Sequence, residues 1–62
     1  MDKQTFHDLI QRYIEKADYH GYEALLGDKK YRAWNTKEEM KYNRMIIEVV
    51  KLYLEEPYEQ NN

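Results

Sequence analysis

The chain has no cysteine and no serine, and its only hydroxyl side chains besides tyrosine are Thr5 and Thr36. Disulfide staples and thiolate metal sites are therefore excluded, and the usual covalent nucleophiles are nearly absent. Glycine is equally scarce: Gly21 and Gly27 stand alone, so no glycine-rich loop exists to cradle a phosphate. His7 and His20 are the only imidazoles, and no carboxylate is spaced to complete a zinc set with them. Both are expected at the surface, with no metal and no cofactor. Long apolar runs are missing too, since nothing approaches the roughly 20 residues needed to cross a bilayer. The opening MDKQTFHDLIQRY has neither the basic nor the apolar region of a secretion signal. These absences lead to the expectation of a non-enzymatic, cytoplasmic protein with no membrane role.

A chain of 62 residues supports one domain, and one that small buries only a modest share of its surface. Small domains that lack disulfides and metals rely on partners for stability. With 35% charged residues and a mean hydropathy of -1.10 the composition borders on that of disordered chains. The apolar residues, however, are grouped at helical spacing, which predicts a folded core.

The net charge of -2 argues against binding polyanions with the whole surface. It also conceals a pattern. Residues 1–28 carry three basic and six acidic side chains, residues 29–44 six basic and two acidic, and residues 45–62 one basic and four acidic. A basic centre is flanked by two acidic segments.

Phe6, Leu9, Ile10, Tyr13, Ile14 and Ala17 form one apolar stripe at 3.6-residue spacing and predict a long amino-terminal helix. Asp2 or Thr5 can cap it, and Thr5-x-x-Asp8 approximates a capping box. The stripe could continue through Gly21 to Ala24 and Leu25, but Tyr19-His20-Gly21 favours a stop or kink, with glycine free to take the left-handed conformation that ends helices. A short helix of about Tyr22 to Leu26 would follow, then a turn at Gly27-Asp28. Lys29 to Trp34 has no clear period. Thr36-Lys37-Glu38-Glu39 has the spacing of a capping box and predicts the start of a long last helix, which Pro57 would end. The expectation is an all-α, helical hairpin-like domain over residues 1–57: a long helix, a short middle helix or turn, and a second long helix. Residues 58–62 would be a disordered tail.

The last helix carries the main inference. Its polar positions Lys37, Lys41, Arg44, Glu48, Lys51 and Glu55 mark one narrow solvated ridge, and everything beside that ridge from residue 45 onward is apolar. Met45, Ile46, Ile47, Val49, Val50, Leu52, Tyr53 and Leu54 wrap more than half of the circumference, where a surface helix hides a stripe of little more than 100°. One partner helix cannot cover that much. The excess is expected to form an interface, most simply with a second copy through a two-fold contact between carboxy-terminal helices. The alternative is a monomer in which Trp34 and the tyrosines of the middle segment fold back to complete the core.

Lys29, Lys30, Tyr31, Arg32, Trp34, Lys37, Lys41 and Arg44 mix cations with aromatic rings, the combination that phosphate contacts and base stacking use. They define a possible partner or nucleic-acid surface. A helix-turn-helix is disfavoured because the connection is too long and Glu38 and Glu39 would sit near phosphates. The functional expectation is a small protein-binding regulator, adaptor or inhibitor, such as a bacterial or phage accessory protein, acting through a homodimeric helical surface. The alternative is a dimeric nucleic-acid-binding regulator using residues 29–44.

Overall fold

The computed structural model describes the backbone of residues 1–60 and the side chains of residues 1–55. Two long helices, α1 (Lys3–Leu26) and α2 (Arg32–Gln60), are joined by a single 3-10 turn at Lys29–Tyr31. They run antiparallel, because Phe6 packs on Tyr53, Tyr13 on Tyr42 and His20 on Asn35. The all-α hairpin read from the sequence is the fold, and the short middle element is this turn.

α1 begins where Asp2 accepts a hydrogen bond from the Thr5 amide at 2.7 Å, satisfying one of the free donors of the first turn. That bond holds the Asp2 carboxyl below its ordinary pKa, chiefly because the Thr5 N–H stabilises the charged form. The helix does not stop at Tyr19-His20-Gly21 and there is no separate helix from Tyr22 to Leu26: one helix continues to Leu26. Neither glycine has positive φ. Gly21 is helical because α1 keeps burying residues through this stretch, so tertiary packing outweighs the weak intrinsic preference of glycine for a stop. Gly27 ends the helix in an extended conformation, its N–H donating to the Glu23 carbonyl at 2.9 Å. A Cβ at Gly27 would meet that carbonyl oxygen at 2.6 Å, so the close approach requires glycine.

The start of α2 also differs from the expectation. Asp28 accepts from the Lys30 amide at 2.9 Å and caps the 3-10 turn, which leads directly into α2 at Arg32. Thr36 is therefore no cap but an interior residue, with its hydroxyl donating to the Arg32 carbonyl one turn back at 2.9 Å. At the other end α2 runs past Pro57 to Gln60. A proline near a helix end removes one ladder donor, a smaller disruption than in a helix centre where both flanking turns must adapt. The tail expected over residues 58–62 lies, in its side chains and its last two residues, outside the described residues.

The packing follows a coiled-coil alternation. Phe6, Ile10, Tyr13, Ala17, His20 and Ala24 of α1 alternate by four and three residues, as do Asn35, Glu39, Tyr42, Ile46, Val49 and Tyr53 of α2. Every one of these twelve is buried or half-buried. Complete burial is nevertheless confined to Ala17, His20 and Asn35 among the described residues. Ala17 is the sole buried hydrophobic residue among those described.

Candidate interaction surface

His20, expected at the surface, is instead the centre of the turn half. Its Nδ1 lies 2.9 Å from Asn35 Oδ1, so the ring nitrogen donates, and Asn35 Nδ2 donates in turn to the Tyr31 carbonyl at 3.1 Å. Tyr42 stacks nearly parallel to the imidazole, 6.0 Å between centroids, while Trp34 and Tyr19 meet it edge-on at 5.2 and 5.1 Å. The site is possible because Ala17, Gly21 and Ala24 are small and let α2 bring large rings against α1. A buried polar pair bonded in this way fixes which residue of α1 faces which residue of α2. It sets register. Among the described residues no three side chains of the ligand type are grouped to hold a metal.

Trp34, Tyr31 and Tyr19 do not complete a monomeric core: they remain 55%, 50% and 59% exposed. Together with Glu23, Asp28 and Asn35 they line a shallow depression beside the turn. Lys29, Lys30 and Arg32 lie on the same connection, with the Lys30 ammonium 5.6 Å from the centre of the Tyr31 ring. Lys37, Lys41 and Arg44 are exposed further along α2. Lys41 binds the Glu38 carboxylate at 3.0 Å, which raises its pKa, and sits 4.8 Å from the Tyr42 ring. The cations thus form a ridge along α2 that begins at an aromatic end cap.

The apolar residues of α2 divide between two environments. Met45, Ile46, Val49, Val50 and Tyr53 are half-buried on or beside the seam with α1, whereas Ile47, Leu52 and Leu54 are exposed. Of this set none is fully buried. Rotating about 100° from the α1 seam, one residue along the helix, brings a second alternation into view. It consists of Thr36, Met40, Asn43, Ile47, Val50 and Leu54, again separated by four and three residues. Met40, Ile47 and Leu54 are 56%, 57% and 58% exposed, and they repeat every seven residues along one line of the helix. α2 therefore carries two seams and α1 occupies one.

On α1 the corresponding positions next to its own seam are His7, Gln11, Ile14, Asp18, Gly21 and Leu25. They share a side of the hairpin with the free seam of α2, since Gly21, Ala24 and Leu25 line one groove with Arg32, Thr36 and Glu39. The opposite side is interrupted by Arg12, Lys16, Glu23, Glu38, Lys41 and Glu48. Met40 and Leu25 were absent from the interface set drawn from residues 45–54. The signal that finds Met40 is the seven-residue spacing to Ile47 and Leu54, which is present in the sequence. Leu25 joins this side because α1 continues through Gly21, the less favoured of the two sequence readings.

Comparisons with protein-family models, with curated proteins and with solved structures return no match for this chain. No helix among the described residues is long and apolar enough to cross a membrane.

Proposed function

We propose that the chain is a non-enzymatic, protein-binding regulator or adaptor that works as a homodimer, its two copies joined through the free seam of α2. One observation carries the reading: Met40, Ile47 and Leu54 stand in a seven-residue row, each more than half exposed, on a hairpin whose only buried hydrophobic residue among those described is Ala17. A two-helix hairpin with so small a core has little to set against the conformational entropy of ordering its chain. Pairing the exposed rows of two copies supplies the missing burial, at about 25 cal/mol per Å² of apolar surface.

Dimerisation through that row leaves the turn end free for a second kind of partner. The exposed Tyr19, Tyr31 and Trp34 offer large rigid contacts with polar tips, and Lys29, Lys30 and Arg32 surround them with positive charge. This end suits an acidic protein surface. The same mixture supports the second reading, nucleic-acid binding, in which the rings stack on bases and the cations meet phosphates.

Light scattering during size-exclusion chromatography tests the assembly. Wild type is expected at twice the chain mass and Ile47→Lys at the chain mass; wild type that stays monomeric at high concentration ends the proposal. Titration against duplex and single-stranded DNA at two salt concentrations separates the two partner classes. Binding that is micromolar or weaker and collapses with modest salt leaves the protein-binding reading in place. Tight binding abolished by Lys37→Glu or Arg44→Glu replaces it with the nucleic-acid one.

A further inference from the structure

Resting on the reading that the turn end meets an acidic protein surface, we infer that the depression at this end takes the guanidinium of a single arginine, which the partner carries within an otherwise acidic segment. The depression holds about 200 Å³ and is walled by Tyr19, Tyr31 and Trp34 beside Asn35, with Glu23 and Asp28 completing its lining. That is short of the roughly 300–1,000 Å³ of a pocket for a whole small molecule. It suits one side-chain head.

The three rings are held in place from beneath. Trp34 and Tyr19 meet the buried His20 ring at 5.2 and 5.1 Å, and the Tyr31 carbonyl accepts from Asn35, so the bonded pair that aligns the helices also positions the walls. Each ring is nevertheless at least half exposed, which leaves π surface open to a ligand. Aromatic faces attract cations through their quadrupole, and the Lys30 ammonium near the Tyr31 ring is one such contact at the rim.

Inside the depression both charged side chains are negative. Glu23 lies in the last turn of α1 with its carboxylate folded back beside Gly27, and among the described residues it has no ion-pair partner. Asp28 commits one oxygen to the Lys30 amide and keeps the other. The carbonyl end of α1 adds partial negative charge, and its last turn carries no basic side chain to offset it. Lys29, Lys30 and Arg32 border the depression without lining it. The complementary ligand is therefore positive at its centre and negative around it, and a phosphate placed over the rings would meet Glu23 and Asp28.

Arginine answers this pattern better than other cations. Its flat guanidinium stacks on aromatic faces, offers five N–H donors in a fork that matches carboxylates, and holds its water less tightly than an ammonium does. A lysine would stay hydrated in so shallow a site. A quaternary ammonium has no N–H to give Glu23 or Asp28.

The test is an NMR titration of the full chain that follows the Trp34 indole and the Tyr19 and Tyr31 rings. The probe is an acetylated, amidated peptide with two glutamates on each side of one arginine. The ring signals are expected to shift and saturate, and replacing the arginine by alanine should weaken binding about tenfold. Glu23→Gln removes a charge while keeping the shape, and should weaken the arginine peptide about threefold to tenfold without weakening the alanine peptide. Asp28→Asn, which retains an oxygen to cap the turn, gives the same sign independently. Loss of the arginine preference in these variants supports the inference. Preference retained in both, or equal binding of the two peptides to wild type, overturns it and leaves the acidic-surface reading standing. N-acetyl-arginine amide that binds as tightly as the peptide overturns the assignment to an acidic segment. If neither peptide moves the rings, the inference and the acidic-surface reading fall together. Single-stranded oligothymidylate that seats on the same rings and binds Glu23→Gln more tightly, the opposite sign, puts the nucleic-acid reading in their place.

Discussion

The turn half and the open half of the hairpin are held by different forces. The three residues buried among those described, Ala17, His20 and Asn35, lie in the turn half, where a bonded polar pair is enclosed by aromatic rings. Toward the open end the seam continues through Ile10, Ile46, Val49 and the Phe6–Tyr53 stack at 4.0 Å, and every one of these residues is only half-buried. Specific hydrogen bonding sets alignment at one end, while partly covered apolar surface holds the other. The comparison teaches that register and burial are separable: the chain fixes its own register but leaves its burial incomplete, most of all in the open half.

The largest effect is expected from breaking the polar pair. Asn35→Ala strands the His20 ring donor in a buried site, at a cost of about 1–3 kcal/mol. Thermal unfolding monitored by circular dichroism should register a drop of many degrees for so small a domain. An unchanged midpoint would mean that the aromatic cage alone aligns the helices. Phe6→Ala is the matching change in the open half. Losing a half-covered aromatic stack should cost about 1–2 kcal/mol. Hydrogen exchange should show faster opening near both helix ends while amides around His20 keep their protection. Equal loss along the whole hairpin would erase the distinction between halves.

The glycines give a smaller, signed pair. Gly27→Ala should destabilise, because the added Cβ meets the Glu23 backbone carbonyl at 2.6 Å and backbone cannot step aside. Gly21→Ala should stabilise by up to about 1 kcal/mol through helix propensity, since its Cβ meets only the Glu39 carboxylate, also at 2.6 Å. Chemical denaturation of the two variants reads both signs. A destabilised Gly21→Ala would show that Glu39 is held in place over α1. The smallest effect belongs to Asp2. Its folded-state pKa is depressed by the Thr5 amide, so its capping contribution is present above the ordinary carboxylate pKa and is lost as pH falls through the lowered value. An acid titration followed by NMR should show the first turn of α1 fraying at the acid end, with Asp2→Ala showing no such step.

Much of the architecture was legible before any coordinates. Phe6 to Ala17 announces α1 because its apolar residues recur at helical spacing, while residue type leaves its cap open between Asp2 and Thr5 and the structure selects Asp2. The stop at Gly21 was misplaced for a tertiary reason: His20 and Ala24 go on packing against α2, and that gain exceeds the cost of one glycine in a helix. Thr36 misled in the same way. Its sequence fits a capping box, but Asp28 had already organised the preceding turn. His20 as a buried donor had no local signal at all, because its acceptor lies fifteen residues away. The free seam was half legible, with Ile47 and Leu54 in the apolar set and Met40 hidden among charged neighbours.

By itself the sequence determined that there would be two amphipathic helices and that α2 would be apolar over too wide an arc, because helical periodicity is a property of residue spacing alone. Only the tertiary structure decided which arc α1 covers, and hence which remains open, since that choice depends on the antiparallel register set by His20 and Asn35. Facing is a relation between distant residues, and distance along the chain does not specify it.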